Sequence, residues 1–192
     1  MPGKNRNLNL IISILSIGVC LLASCGTNIS LTTPSIPTRT IINPPTPTFP
    51  PGTSQENPAR VGISLSADNI KFKITGSIRP ADGIVSSGDM FNVQPGQWQQ
   101  YVFVTLAVSC ELSGNQQCTL SLFQMRLLGS DNMVRVPQRA VAGVTSIFQN
   151  LTSIQGGTTA AGNVPFIISI GDSSLVLAYD PLVGESIFLA LP

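Results

Sequence analysis

The sequence predicts an all-β protein whose main domain, residues 61–192, is a two-layer antiparallel β-sandwich. Three observations favour this class. Apolar and polar residues alternate with a period of two from about residue 61 onward. About seven such segments are separated by clusters of Gly, Pro, Asn and Asp that form turns. No strand is followed by a long helical pattern, which disfavours a parallel nucleotide-binding sheet.

Residues 1–24 have the organisation of an export signal peptide. Lys4 and Arg6 form a positive segment, and the apolar run that follows them, 8–22, is about 15 residues long. A membrane-spanning helix needs roughly 20 apolar residues. A permanent membrane helix is therefore the weaker interpretation, and we expect this segment to be removed.

The motif Leu22-Ala23-Ser24-Cys25 ends the apolar run. It resembles the lipobox of bacterial lipoprotein precursors, in which diacylglycerol is added to the cysteine thiol before cleavage. The resemblance implies that Cys25 becomes a lipidated N-terminus in the cell membrane, facing the extracytoplasmic side. Each buried methylene contributes about 0.8 kcal/mol, so several acyl chains, such as palmitate, hold a protein stably. Cys20 is a weaker candidate because the branched Val19 precedes it.

Residues 25–60 are predicted to form a disordered linker that begins at the anchor. Eight prolines and eight threonines lie between residues 26 and 60. Proline fixes φ and removes a backbone donor, and few large apolar residues are available for burial. We expect an extended stalk with a reach on the order of 100 Å. The threonine–proline composition is also typical of O-glycosylated stalks.

The first half of the domain contains the clearest strand patterns. Residues 70–75 alternate between apolar and polar side chains, and a short strand around Ile63 and Leu65 precedes them. The segment 98–110 is apolar on both faces, which predicts a central strand covered on both sides. Residues 80–97 are rich in Gly and Pro and are predicted to form a long loop.

The second half of the domain is predicted to consist of shorter strands. Residues 141–151 are ambiguous between a single helical turn and a loop pinned by Phe148. Pro165 lacks a backbone donor, so its strand is expected at an edge or a bulge. The predicted strands are 120–128, 133–136, 163–170, 174–179 and 186–191.

Two cysteines, Cys110 and Cys118, remain after removal of the signal and lipidation of Cys25. Exported proteins keep disulfides. Residues 111–117, with Gly114-Asn115 at their centre, predict a hairpin turn that brings the two cysteines within bridging distance. We expect a disulfide between them. Two free, buried thiols are the alternative.

Six features carry a resemblance to a known family: an amphipathic first strand, Tyr101-Val102-Phe103-Val104, Phe123-x-x-x-Leu127, Gly156-Gly157 with Gly162 ahead of Phe166, residues 172–177 and residues 187–191. This order is similar to bacterial surface lipoprotein domains of unknown function with a telokin-like, immunoglobulin-type β-sandwich. The resemblance covers roughly residues 61–192 and implies an immunoglobulin-like fold without agreed catalytic residues. Cys110 stands where such domains usually continue into an Asn-containing turn.

The composition excludes several kinds of chemistry. The chain has no histidine, which removes Ser-His-Asp and Cys-His catalysis and the commonest zinc ligand. The domain has six basic and eight acidic residues and no basic stripe, so nucleic acid is not an expected partner. The segment 171–175, Gly-Asp-Ser-Ser-Leu, superficially resembles a serine-hydrolase motif, but a turn entering a strand explains it. We predict a protein that is not an enzyme, without catalytic residues, metal or cofactor.

Two weak binding candidates remain, and the ligand-binding residues are otherwise unassigned. Asp82 and Asp89 lie in the Gly/Pro-rich loop and could hold calcium, although no EF-hand spacing is present. Trp98, Tyr101 and Tyr179 could form an aromatic platform for a glycan or peptide. Packing in the core is the commoner role of such aromatic residues.

The sequence favours a membrane-anchored extracytoplasmic lipoprotein that displays a non-catalytic β-sandwich for binding. Its partner is expected to be an envelope or extracellular protein, a peptide or a glycan. The alternative is a structural envelope protein or a subunit of a larger lipoprotein complex. A long stalk favours the first interpretation, because a packed structural subunit gains little from one.

We predict that the mature protein starts at Cys25 and carries lipid, because the lipobox follows a positive segment and an apolar run. Intact-mass analysis should show the acyl increment. Cys25→Ala should release soluble protein or leave an uncleaved precursor. An unmodified N-terminus at another residue would contradict the prediction.

Overall fold

The computed structural model describes residues 50–131, 133–139 and 141–192. The predicted signal peptide, Cys25 and residues 26–49 of the predicted linker lie outside the described residues. Within the described ranges the chain forms ten strands, one α-helix and a 3₁₀ turn at Leu122–Gln124. The bounds are β1 Ser64–Ala67, β2 Ile70–Ile78, α1 Asp82–Gly88, β3 Gln99–Cys110, β4 Gln117–Ser121, β5 Met125–Leu128, β6 Val134–Arg135, β7 Leu151–Gln155, β8 Thr159–Ser169, β9 Val176–Tyr179 and β10 Ile187–Ala190.

The strands form two four-stranded sheets and a separate two-stranded ribbon. The first sheet has the order β1-β2-β3-β8, the second has the order β10-β9-β5-β6, and the ribbon consists of β4 and β7. All of the strand pairs in these sheets are antiparallel. The inner faces of the two larger sheets share one core, in which Phe72 of β2 and Tyr179 of β9 have ring centroids 4.4 Å apart. The predicted all-β, two-layer antiparallel sandwich is confirmed.

Strand β3 is central, as its pattern predicts. It pairs with β2 on one side and with β8 on the other. Val102 and Val104 point into the core between the two large sheets, while Tyr101 and Phe103 are buried on the opposite face. Fully burying an apolar side chain of this size stabilises a fold by about 1.5–3 kcal/mol.

The second face of β3 is covered, as predicted, by a small core, but the sequence did not predict the helix that forms part of it. Residues 82–88, expected to be loop, form α1. Gly and Ser are weak helix formers, so the helix depends on tertiary contacts. Val85 packs with Tyr101 and Phe103, and Asp82 Oδ1 accepts a hydrogen bond of 2.9 Å from the backbone N–H of Tyr101.

The expected hairpin between the two cysteines is wrong, although the disulfide is present. Cys110 ends β3 and Cys118 lies in β4, with Cα atoms 5.6 Å apart across the disulfide. Strand β4 pairs with β7 and not with β3. Both edges of β3 are already occupied near Cys110, by β2 and β8, so β4 has no free edge to join. The disulfide therefore links the first sheet to the ribbon.

The predicted strand 120–128 is interrupted. The 3₁₀ turn at Leu122–Gln124 separates β4, in the ribbon, from β5, in the second sheet. Because β4 and β5 belong to different sheets, the chain changes direction between them. This change of sheet is a tertiary feature that the period-two pattern does not contain.

The folded part begins earlier than residue 61, where the sequence placed its start. Ala59 is buried and forms a parallel bridge with Leu189 of β10. Its N–H donates to Phe188 O at 2.9 Å, and Phe188 N–H donates to Gly52 O at 2.9 Å. The last part of the proline-rich segment therefore covers the outer edge of β10.

The predictions for Pro165 and for residues 141–151 agree with the structure. Pro165 lies in β8, an edge strand of the first sheet, and its carbonyl accepts a hydrogen bond of 2.7 Å from Gln138 N–H. Residues 141–150 contain no helix, and Phe148 is buried, which is the pinned-loop alternative. Among the described residues, none forms a helix that is long and apolar enough to span a bilayer.

Replacing both Cys110 and Cys118 with serine should lower the free energy of unfolding by about 2–3 kcal/mol, because the disulfide restricts the unfolded chain over a short loop. Denaturant unfolding of the mature chain measures the change. Cys25→Ser, in the predicted linker, is the matched control and should leave the midpoint unchanged. Recovery of both cysteines as free thiols from freshly purified protein would contradict the prediction.

Candidate functional site

The aromatic platform considered from the sequence does not form. Tyr101 is buried in the small core and Tyr179 in the core between the large sheets. Trp98 is exposed at the start of β3. The three rings therefore lie in three different environments, and the platform hypothesis is wrong.

The carboxylates of Asp82 and Asp89, the two calcium candidates, accept hydrogen bonds from backbone N–H groups. Asp82 holds the start of β3, as described above, and Asp89 Oδ1 accepts a hydrogen bond of 2.8 Å from Phe91 N–H. No group of three or more His, Cys, Asp or Glu side chains suited to a metal occurs in the described ranges. These hydrogen bonds give both aspartates a role in ordering the loop.

The hydrolase-like segment 171–175 forms a structural clasp. Asp172 is buried, and its Oδ1 accepts hydrogen bonds of 2.8 and 3.0 Å from the N–H and hydroxyl of Ser130. Its Oδ2 forms an ion pair of 2.8 Å with the guanidinium of Arg135, but the geometry of this contact is not that of a hydrogen bond. A Cβ on Gly129 would lie 2.2 Å from this carboxylate, so only glycine fits. The cluster joins the turn after β5 to the turn before β9.

A shallow cleft of about 410 Å³ lies beside this clasp. Its walls include Glu56 and Pro58 from the N-terminal segment and Ser174 and Leu191 from the sandwich. Asp172 does not line it. Ser130, whose hydroxyl is hydrogen-bonded to Asp172, also lines the cleft.

The most distinctive surface of the described chain is the connection between α1 and β3, residues 89–98, which we name the apolar loop. Four of its large side chains are exposed: Met90 by 79%, Phe91 by 87%, Val93 by 57% and Trp98 by 73%. Residues 90–100 contain no charged side chain. An exposed aromatic side chain offers about 150–250 Å² for burial, and several large apolar side chains exposed within one short segment indicate a candidate interaction site.

The apolar loop is held in place by a buried amide. Asn92 lies between the exposed Phe91 and Val93, and its Nδ2 donates to Val85 O at 2.9 Å and to Ala142 O at 3.0 Å. Its Oδ1 accepts a hydrogen bond of 2.7 Å from Ala142 N–H. Because the amide is anchored to α1 and to the segment after residue 140, the neighbouring side chains are displayed outward.

A phenol provides a second attachment for the loop. The hydroxyl of Tyr101 donates to Val93 O at 2.8 Å. Burial, together with the negative charge of Asp82, raises the pKa of Tyr101 above its usual value. The phenol therefore stays protonated at neutral pH and keeps donating. The exposed side chains project from an ordered backbone and form a preorganised surface.

Of the exposed apolar residues in this site, only Trp98 was a candidate from the sequence, because residues 80–97 were predicted to be a loop with two possible calcium ligands. A usable signal was present, because three large apolar residues fall within Met90-Phe91-Asn92-Val93 in a segment without charge. The anchoring role of Asn92 could not be inferred from the sequence, since its partner Ala142 lies 50 residues away.

Comparison with known proteins gives only distant similarities. No protein-family model and no curated protein matches the sequence. YcdA of Bacillus subtilis, a presumed lipoprotein, is similar with a TM-score of 0.49 and 17% identity over 67% of this chain. This chain spans 38% of the length of YcdA.

Two further solved structures are similar at the same level. The secreted protein MPT63 of Mycobacterium tuberculosis has a TM-score of 0.49 and 15% identity, covering 69% of this chain and 95% of its own. A β-sandwich protein of Clostridium difficile has a TM-score of 0.41 and 10% identity, covering 78% of this chain and 100% of its own. The sandwich is established by this chain's own strand pairing, and the narrower telokin-like resemblance stays a prediction.

Asn92→Ala should loosen the apolar loop and lower the free energy of unfolding by about 1–3 kcal/mol, because buried backbone groups lose their partners. Hydrogen exchange should show faster exchange at Ala142 N–H, the amide that Asn92 binds. Asn115→Ala, in an exposed turn, is the matched control and should change neither quantity. Equal behaviour of the two variants would contradict the anchoring role of Asn92.

Proposed function

We propose that this protein is a lipid-anchored, extracytoplasmic binding module whose apolar loop contacts another protein. Cys25 provides the anchor, the proline-rich linker provides reach, and the β-sandwich acts as a non-catalytic scaffold. The observation that carries the proposal is the exposure of Met90, Phe91 and Trp98 on an ordered loop.

The chemistry of the apolar loop favours a protein partner with an apolar surface. Binding energy at protein interfaces is concentrated in a few aromatic residues that become fully desolvated. Phe91 and Trp98 are residues of this type, and the polar side chains in 90–100 are amides without charge. A preordered loop loses little conformational entropy on binding. These properties support contact with a protein more than contact with a charged polymer.

The position of the apolar loop supports display away from the attachment point. The loop leads into the start of β3 at Gln99, while β3 ends at Cys110, paired with Ile70 beside the β1–β2 turn. Twelve residues of strand span about 40 Å. Pro50, where the described chain begins, lies near Glu185 and Ser186, just before β10.

Pro50, Glu185 and Ser186 lie at the end of the sandwich opposite to the apolar loop. Leu182 N–H, in the loop between β9 and β10, binds Asp68 in the β1–β2 turn. The β9–β10 loop and Pro50 are therefore at the Cys110 end of β3. A linker that joins the domain at this end leaves the apolar loop free to meet a partner.

The proposed location is consistent with the chemistry of the domain. Disulfides persist in oxidising compartments outside the cytoplasm, and the disulfide between Cys110 and Cys118 belongs to that environment. The support from the lipobox at Cys25 is independent of the fold, since it depends on the first 25 residues alone.

The double variant Phe91→Ser with Trp98→Ser should reduce recovery of the partner at least about tenfold, since removing hot-spot aromatics costs about 2 kcal/mol or more. The measurement is in-cell crosslinking followed by quantitative mass spectrometry of tagged, lipidated protein. Met133→Ser, an exposed apolar residue outside the loop, is the matched control. The melting temperature should stay unchanged in both variants, because the replaced side chains are exposed.

Shortening the linker to about ten residues tests the same proposal through reach. Partner recovery should fall while the thermal stability of the domain is retained. If the loop variant and the shortened protein both behave like the original, the structural interpretation replaces the binding module. Hydrolytic turnover by the protein, abolished by a single polar substitution, would overturn both interpretations.

A further inference from the structure

A second apolar projection lies at the end of the sandwich opposite to the apolar loop. The connection between β9 and β10 contains Leu182, exposed by 87%, and Val183, exposed by 83%. We name residues 181–184 the proximal loop. Pro181 precedes the two aliphatic residues, and Gly184, with a φ of 106°, reverses the chain after them. Two large aliphatic side chains thus lie in the middle of the seven-residue connection between β9 and β10.

The proximal loop is fixed to the sandwich by one carboxylate oxygen. Asp68 Oδ2 accepts hydrogen bonds from Leu182 N–H at 3.1 Å and from the hydroxyl of Tyr179 at 3.2 Å. Gln124 Nε2 donates to the same oxygen at 3.3 Å. Burial, together with the charge of Asp68, raises the pKa of Tyr179, so its phenol remains a donor at neutral pH. The proximal loop is therefore held in position and does not collapse onto the surface.

The proximal loop lies beside the place where the chain leads back to Cys25. Pro50 and Thr53 line a cleft together with Glu185, Ser186 and Phe188, which directly follow the loop. Residues 26–49 separate this point from the predicted anchor. Leu182 and Val183 thus directly precede a segment that lies beside Pro50 and Thr53 in the fold.

We propose that Leu182 and Val183 rest on the surface of the bilayer that holds Cys25. This inference depends on the lipid anchor of the proposed function and adds the orientation of the domain. With the proximal loop at the bilayer, the apolar loop, about 40 Å away along β3, faces outward. The contact is reversible, so the linker keeps its reach, and the domain has a preferred orientation while the contact lasts.

The charges around the proximal loop define the kind of lipid surface that fits. Asp180 is paired with Arg126, Asp68 is engaged by three donors, and Glu185 is exposed. These four side chains, one cation and three carboxylates, therefore carry a net charge of −2. Anionic headgroups would be repelled, so the surface that fits is one of neutral, zwitterionic phospholipid.

The contact is too small to bind a membrane without the anchor. A single acyl chain already gives only marginal binding, and two aliphatic side chains bury less. Tethering raises the effective concentration of the bilayer, which turns a weak contact into a populated one. The untethered domain should therefore not bind vesicles, while the tethered domain should contact their surface.

The experiment uses the mature chain, residues 25–192, coupled through the Cys25 thiol to a maleimide lipid in phosphatidylcholine vesicles that contain brominated lipid. The chain has a single tryptophan, Trp98, in the apolar loop. The double variant Leu182→Trp with Trp98→Phe moves that fluorophore to the proximal loop. Its emission should fall by at least about half, whereas Trp98 of the original sequence should not be quenched.

A second measurement avoids the added tryptophan. Hydrogen exchange of residues 182–184 should be slower at least about threefold in the coupled original chain than in the uncoupled chain. The variant Leu182→Ser with Val183→Ser should lose this protection. Replacing part of the phosphatidylcholine with phosphatidylglycerol at low salt should weaken it, because like charges repel.

The outcomes separate this inference from the proposed function. Quenching of Trp98 instead of the fluorophore at position 182 would overturn the orientation and place the apolar loop on the bilayer. Absence of quenching at both positions, with unchanged exchange, would overturn the membrane contact. Since the coupling replaces native lipidation, failure of lipidation at Cys25 would appear in the mass analysis and not here.

Discussion

Strand β3 is enclosed on all four sides, and the rest of the fold depends on that enclosure. Its two edges pair with β2 and β8, one face packs in the core between the large sheets, and the other packs under α1. Every backbone polar group of such a strand must find a partner within the protein. The segments before and after β3 can therefore pack only where its edges and faces are not already occupied.

The consequences appear at both ends of β3. At its C-terminal end, β4 cannot join the occupied edges and pairs with β7, so the disulfide from Cys110 to Cys118 connects separate sheets. At its N-terminal end, Tyr101 requires cover, and α1 with the segment around Val144 supplies it. The apolar loop is the chain that joins this cover to β3, which explains why it is ordered while its side chains remain exposed.

At both ends of the sandwich, a hydrogen-bonded polar side chain holds a loop whose apolar side chains are exposed. A buried or engaged polar group holds the backbone, Asn92 in the apolar loop and Asp68 beside the proximal loop. Exposed aliphatic and aromatic residues are unfavourable in water, so an ordered backbone that presents them is a feature that a partner surface would complement. Phe91 at one end and Leu182 at the other are both strongly exposed to solvent. Because β3 separates these ends by about 40 Å, one end can face the proposed anchor and the other the proposed partner.

The sequence by itself determined the properties that are local in the chain. The period-two pattern identified the sandwich class, the double-sided burial of β3 and the edge position of Pro165, because alternation and a missing donor act within a few residues. Cysteine counting identified the disulfide partners. Only the tertiary structure decided that β4 leaves the first sheet, that residues 82–88 are helical, and that Asn92 displays the apolar loop. Those features depend on contacts between distant residues, such as Asn92 with Ala142, and no local pattern contains them.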